Sequence, residues 1–285
     1  LKRKKRSQVY RRLLGRLFTF GCSYTSWNWP TWADILALDY EHSENWGHAG
    51  LGNRAIAERV AECHLKNKFT KIDKVIVQWS SHLRYDWLNF KHDEPWQTKG
   101  SVFSYQNEKI FNEKWIETFY DEKAFFLHTL HNIQLTKGLL ESTGCEFYFT
   151  SISDINTLGT DIPHQKGHGE NLRNTPELAD AITEYDIFLY KDILKGKHWL
   201  EPLGSHAWHR PDLSWWFENE HGEKWLELHP SPMQHLSWVH SHNQFLTEEQ
   251  KNLIDTTTSA KTNDYKESIA NITSTVKWDR KYRGF

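Results

Sequence analysis

The chain has 285 residues, a length that fits one large α/β domain or two small ones. Its 35 Lys and Arg against 37 Asp and Glu give a formal net charge of −2, which excludes a global attraction to nucleic acid or acidic membranes. Hydrophobic residues make up 38% at a mean hydropathy of −0.74, no run approaches the ~18 apolar residues of a membrane span, and three cysteines (Cys22, Cys63, Cys145) form no disulfide framework.

Residues 1–16 hold eight of the basic residues and no acid, so the remainder carries 27 basic against 37 acidic residues. The segment reads as a solvated basic arm, with a tether to an anionic partner as the sharper alternative. Arg16 interrupts the apolar run after Leu13 and Leu14, which argues against a signal peptide and favours a cytoplasmic protein. Residues 17–254 are expected to form the domain, and residues 255–285 a polar tail.

Leu17–Gly21 is a short apolar run ending at glycine and predicts a buried strand. Pro30–Leu38 predicts a helix with proline in its first turn. Glu44–Gly52 reads as a strand end followed by a glycine-rich turn. Asn53–Lys66 predicts a helix with Ile56, Val60 and Leu65 on one face. Lys74–Trp79 is the clearest buried strand. Residues 86–120 are polar and aromatic without a clean period and read as an insertion over one end of the sheet. Lys123–Ser142 predicts a long helix capped by Gly144, and Cys145–Ile152 the next strand. Residues 156–222, rich in Gly, Pro, His and Trp, are expected to form a lid or substrate loops. Ser231–Phe245 begins like a helix, with serine at the cap and proline after it.

This alternation is the rhythm of a parallel sheet with crossover helices, and predicts a three-layer α/β/α domain of flavodoxin-like type. Functional loops in such sheets lie past the carboxyl ends of the strands. The first of these carries Gly21-Cys22-Ser23-Tyr24-Thr25. A serine on a tight turn there presents its hydroxyl at the sheet edge, with backbone N–H groups at hand for an oxyanion. Serine needs a base to accept its proton and an acid to orient that base. Glu227-Leu228-His229-Pro230 supplies both, because residues two apart on an extended loop project to one side. Cys22 adjoins the nucleophile but projects away from any base that Ser23 faces.

The segments FTFGCSYT (18–25), NWGHAGLGN (45–53) and ELHPSPMQH (227–235) resemble, in order, three sequence blocks of SGNH/GDSL-type hydrolases. The resemblance implies Ser23 as nucleophile, His229 as base, and the Ser23 and Gly50 N–H groups as oxyanion donors. Three positions depart from the family pattern. Cys22 replaces an acid. Gln78-Trp79-Ser80-Ser81-His82 lacks the asparagine that supplies a third oxyanion donor, a role open to Ser80, Ser81 or Asn53, of which Asn53 is favoured. Leu226 stands where the orienting aspartate is usual, so Glu227 is expected to take that role. Arg84, past the third strand, is expected to bind a substrate carboxylate or sulfate, and Trp79 and Trp208 to contact substrate.

The resemblance implies hydrolysis of an acyl ester, acetyl above all, on a carbohydrate or another small ester substrate, with no cofactor and no metal. The rival readings are a metal enzyme built on the 17 histidines, an impaired carbohydrate-binding or structural protein of the same fold, and nucleic-acid binding through the arm. Against the metal enzyme, His164 and His168 are four apart but flanked by Pro163, Gly167 and Gly169, and no HExxH occurs.

Overall fold

The computed structural model of the chain describes residues 15–27, 29–37, 39–91, 96–104, 107–152, 155, 193–194, 196–214, 216–218, 222, 224–226 and 229–242. Most of the basic arm, residues 156–192, Glu227 and the 255–285 tail lie outside the described residues. In chain order the elements are Arg16–Phe20 (β1), Trp32–Ala37 (α1), His42–Asn45 (β2), Asn53–Asn67 (α2), Lys74–Trp79 (β3), Arg84–Leu88 (β4), Trp96–Ser101 (β5), Glu113–Phe119 (α3), Glu122–Thr143 (α4), Glu146–Ser151 (β6), Leu203–Trp208 (α5), Trp216–Glu218 (β7), Lys224–Leu226 (β8) and Pro232–Ser241 (α6).

β2, β1, β3 and β6 pair in parallel in that order. Counted within the sheet this is order 2-1-3-4, and a parallel bridge from Phe149 to Trp199 extends the far edge. A parallel sheet buried on both sides must send apolar residues to each. On one side Phe18, Phe20, Val75, Val77, Phe147 and Phe149 pack under α2 and α4, which contribute Ile56, Val60, Leu130 and Ile133. On the other, Leu17 and Ile76 pack under α1, α5 and α6, which contribute Trp32, Ile35, Leu203, Leu236 and Trp238. The result is the three-layer α/β/α arrangement that the strand–helix rhythm predicts. Among the described residues no helix is long and apolar enough to cross a membrane.

Three expectations change. Leu65 is 67% exposed, since nine residues at 100° each carry it to the face opposite Ile56, and Cys63 fills the buried position. Arg16 belongs to β1 and not to the arm. Its guanidinium makes a two-pronged contact with Asp73, at 2.8 Å from Nε and 2.7 Å from Nη2. Burial alone would raise the Asp73 pKa, but Arg16 and the Thr70 N–H and hydroxyl outweigh it and hold the carboxyl below its usual range. The stretch from 86 to 120 is itself folded: β4 and β5 form an antiparallel hairpin, and α3 follows.

The hairpin has a structural task. α2 starts at Gly52, which has no side chain to cap the helix. Asp86 of β4 supplies the missing acceptor, taking the Gly52 N–H at 2.8 Å and the Ala55 N–H at 3.1 Å. The approach requires glycine, because a Cβ at Gly52 would sit 2.5 Å from Asp86 Oδ2. Asp86 is buried, so its removal leaves two helix-end donors without solvent or partner. Asp86→Ala is expected to cost about 2–4 kcal/mol, read as a lower urea midpoint at unchanged m-value, with Asp86→Asn costing less.

Candidate active site

The turn after β1 is built around Thr25. The Thr25 and Ser26 N–H groups both return to the Cys22 carbonyl, at 2.9 and 3.1 Å, closing a helical turn that carries Ser23. Glycines let this turn nest. A Cβ at Gly21 would meet Thr25 Oγ1 at 2.1 Å, and one at Gly47 would meet Thr25 Cβ at 2.8 Å. Thr25 Oγ1 donates to Gln78 Oε1 of β3 at 2.9 Å. Its carbonyl accepts from the Thr31 hydroxyl at 2.7 Å and from Asn45 Nδ2 at 2.8 Å. The Ser23 turn is therefore tied to three neighbouring segments. The Ser23 N–H has no hydrogen-bond partner among the described residues. Cys22 is fully buried in the core, on the side of α2 and α4.

His229 comes from the other end of the domain. Its Nε2 lies 3.0 Å from Ser23 Oγ, across 206 positions of sequence. The Trp27 ring stacks on the imidazole, with centroids 3.8 Å apart and planes 15° from parallel. Tyr24 meets the same ring edge-on at 5.6 Å. Trp29, buried, donates its indole N–H to the Pro230 carbonyl at 2.9 Å. Just beyond, Ser231 and Gln234 form a reciprocal capping box at the start of α6. Gln234 Nε2 also donates to the Ala207 and Arg210 carbonyls at 2.9 and 3.1 Å. The His229 loop is thus fixed from both sides, and a stacked indole limits rotation of the ring.

The loop after β2 runs alongside. The Trp46 N–H bonds the Thr19 carbonyl at 2.7 Å and the His48 N–H bonds the Gly21 carbonyl at 3.1 Å. This places the Gly50 turn, with Gly50 at a φ of +82° that favours glycine, beside the Ser23 turn. Arg84 Nη1 holds the Leu51 carbonyl at 2.9 Å.

The structure does not support two of the expected roles. Asn53 Nδ2 donates to the Ser80 carbonyl and to Thr129 Oγ1, both at 3.0 Å, while its Oδ1 accepts the Ser80 N–H at 2.7 Å. Its amide hydrogens are committed to joining α2, β3 and α4 and do not serve an oxyanion. Trp79 is fully buried against Phe149 and offers no face to a ligand. Trp208 ends α5 and is half-buried. Trp27, Trp29, Asn45 and Asp86 are the contributors that the sequence reading passed over. The first two were signalled only by the aromatic crowding of Tyr24-Thr25-Ser26-Trp27.

Behind His229, on α6, His235 is buried, and its Nδ1 has no hydrogen-bond partner. Burial, with a lesser contribution from the His229 charge, pulls its pKa down to about 3. His235 therefore stays neutral at neutral pH. Among the described residues no group of three or more His, Cys, Asp or Glu side chains is placed to hold a metal ion.

A scan against protein-family models found no match, and a search of curated proteins found none. Among solved structures, the chain is similar to a member of the lipolytic protein G-D-S-L family from Veillonella parvula DSM 2008. The TM-score is 0.42 at 10% identity, covering 82% of this chain and 99% of that chain.

The low pKa of His235 carries a stability consequence. Below pH 6.5 the unfolded chain protonates this histidine, but the native state does so only near pH 3. Native stability therefore falls as pH drops through that window, by about 1.4 kcal/mol per pH unit for this one group. His235→Leu is expected to flatten the pH dependence of the urea midpoint between pH 6.5 and 4. An unchanged slope would contradict the assignment.

Proposed function

We propose that the protein is a serine hydrolase that cleaves an acyl ester, acetyl foremost, on a carbohydrate. The observation that carries the reading is the 3.0 Å approach of His229 Nε2 to Ser23 Oγ. That is hydrogen-bond reach for a nucleophile and its base. In this reading Ser23 attacks the ester carbonyl and His229 takes its proton. His229 then returns the proton to the leaving alcohol, and water completes the second half-reaction. The Ser23 and Gly50 N–H groups hold the oxyanion. Glu227, two residues upstream of His229, is the proposed orienting acid. Trp27 stabilises the imidazolium from its stacked face.

The commitment of the Asn53 amide favours a second reading, in which the same fold has lost turnover and serves as a carbohydrate-binding or structural protein. Loss of one oxyanion donor typically costs roughly 100- to 1,000-fold in rate.

Kinetics on acetylated saccharides and small acetyl esters separates the two. Ser23→Ala is expected to remove nearly all turnover while leaving the protein folded, and His229→Ala to lower kcat by roughly 100- to 10,000-fold. Glu227→Gln is expected to be milder. Equal turnover by Ser23→Ala and the wild type would overturn the hydrolase reading.

A further inference from the structure

Apart from Ser23 and His229, a cleft of about 690 Å³ opens where α2, β4, α3 and α4 meet. Its charges are mostly compensated from within. Arg54 pairs with Glu58 at 2.9 Å, and His82 approaches Glu122 at 3.3 Å. Asp86 is taken up by the helix-end N–H groups of α2.

Arg84 is different. The side chain is half-buried in the cleft wall, and its Nη1 donates to the Leu51 carbonyl. Its Nε and Nη2 have no partner among the described residues. These two N–H groups form one edge of the guanidinium and match the two oxygens of a carboxylate. His128 and His131 of α4 also line the cleft and are exposed.

The cleft lining also includes aromatic rings. Tyr85 and Trp115 lie 5.4 Å apart, and Trp115 meets Phe119 at 5.8 Å. Phe119 also lines the cleft and is 64% exposed. One cationic fork beside an open aromatic wall suits a flat or chair-shaped ring that bears an acid.

We propose that this cleft binds a ring carrying a carboxylate, with the acid on the Arg84 Nε and Nη2 edge and the ring face against Trp115. The same guanidinium holds Leu51, the residue after Gly50, so a ring bound there lies one residue from the proposed oxyanion turn. Joined to the hydrolase reading, on which this last step rests, the ring is the acid-bearing part of the ester substrate. A uronate unit and an aromatic acid share this chemistry.

The test is calorimetric or NMR titration of the full chain with galacturonate and with benzoate, each beside its uncharged counterpart, methyl galacturonate ester and benzamide. The acid is expected to bind at least about tenfold tighter than its neutral counterpart, the worth of one charge-assisted fork. The tighter of the two acids identifies the source of the ring. Arg84→Lys keeps the charge but loses the fork, and Trp115→Ala, on a helix with no buried residue, removes the stacking face. Each is expected to weaken the acid by about fivefold or more. Equal binding of acid and neutral counterpart, no binding up to about 10 mM, or unchanged affinity in both variants would overturn the proposal. Ester turnover measured on the same wild-type sample keeps the two readings apart. Turnover without acid binding removes the cleft alone, and acid binding without turnover leaves the cleft and removes its link to hydrolysis.

Discussion

Thr25 sits where four backbone segments converge, and the geometry of Ser23 follows from how it is held. Its hydroxyl reaches Gln78 on β3, and its carbonyl is shared by Thr31 and Asn45. The absence of a Cβ at Gly21 and Gly47 allows this packing. A buried backbone carbonyl with two donors and a buried hydroxyl with an acceptor anchor Thr25, so the turn has little freedom to move. Ser23 is carried on this turn, two residues before its anchor. The turn leaves β1 next to β3, where the strand order of a parallel sheet reverses and where such folds place their ligands.

The second half of the site is held by different means. No strand of the central sheet carries His229. The loop is fixed by the Trp29 indole on Pro230, by the capping box of α6, and by the reach of Gln234 to the 207–210 backbone. These contacts bind the loop to the segment after Ser23 as well as to α5. An imidazole positioned by aromatic stacking and backbone anchors meets a serine hydroxyl positioned by a buried polar hub. The hairpin of β4 and β5 completes the frame, because Asp86 and Arg84 hold the 51–55 backbone that follows the Gly50 turn.

Strands of the central sheet such as β1, β3 and β6 were legible because their signals are local. Lys74–Trp79 is an apolar run bounded by polar turns, and Ser231-Pro232 carries a capping pattern that reads directly as a helix start. The pairing of Ser23 with His229 was legible from residue chemistry and block order, although 206 positions separate them. What escaped were contacts fixed only by tertiary structure. Asp86 capping a helix 34 positions upstream leaves no local trace. The amide of Asn53 is equally able to face a pocket or to clamp Ser80, and only the fold decides between them. Trp79 was expected to contact substrate, but the alternation of β3 turns it inward with Val75 and Val77.

The measurement that bears most directly on a working Ser23–His229 pair is the intact mass of the folded protein after exposure to a fluorophosphonate, with peptide mapping. Such probes label serines whose proton a base accepts. The account predicts one adduct, mapped to Ser23 and absent from Ser23→Ala. A folded wild-type protein that takes up no label, or that takes it up at another residue, would contradict it.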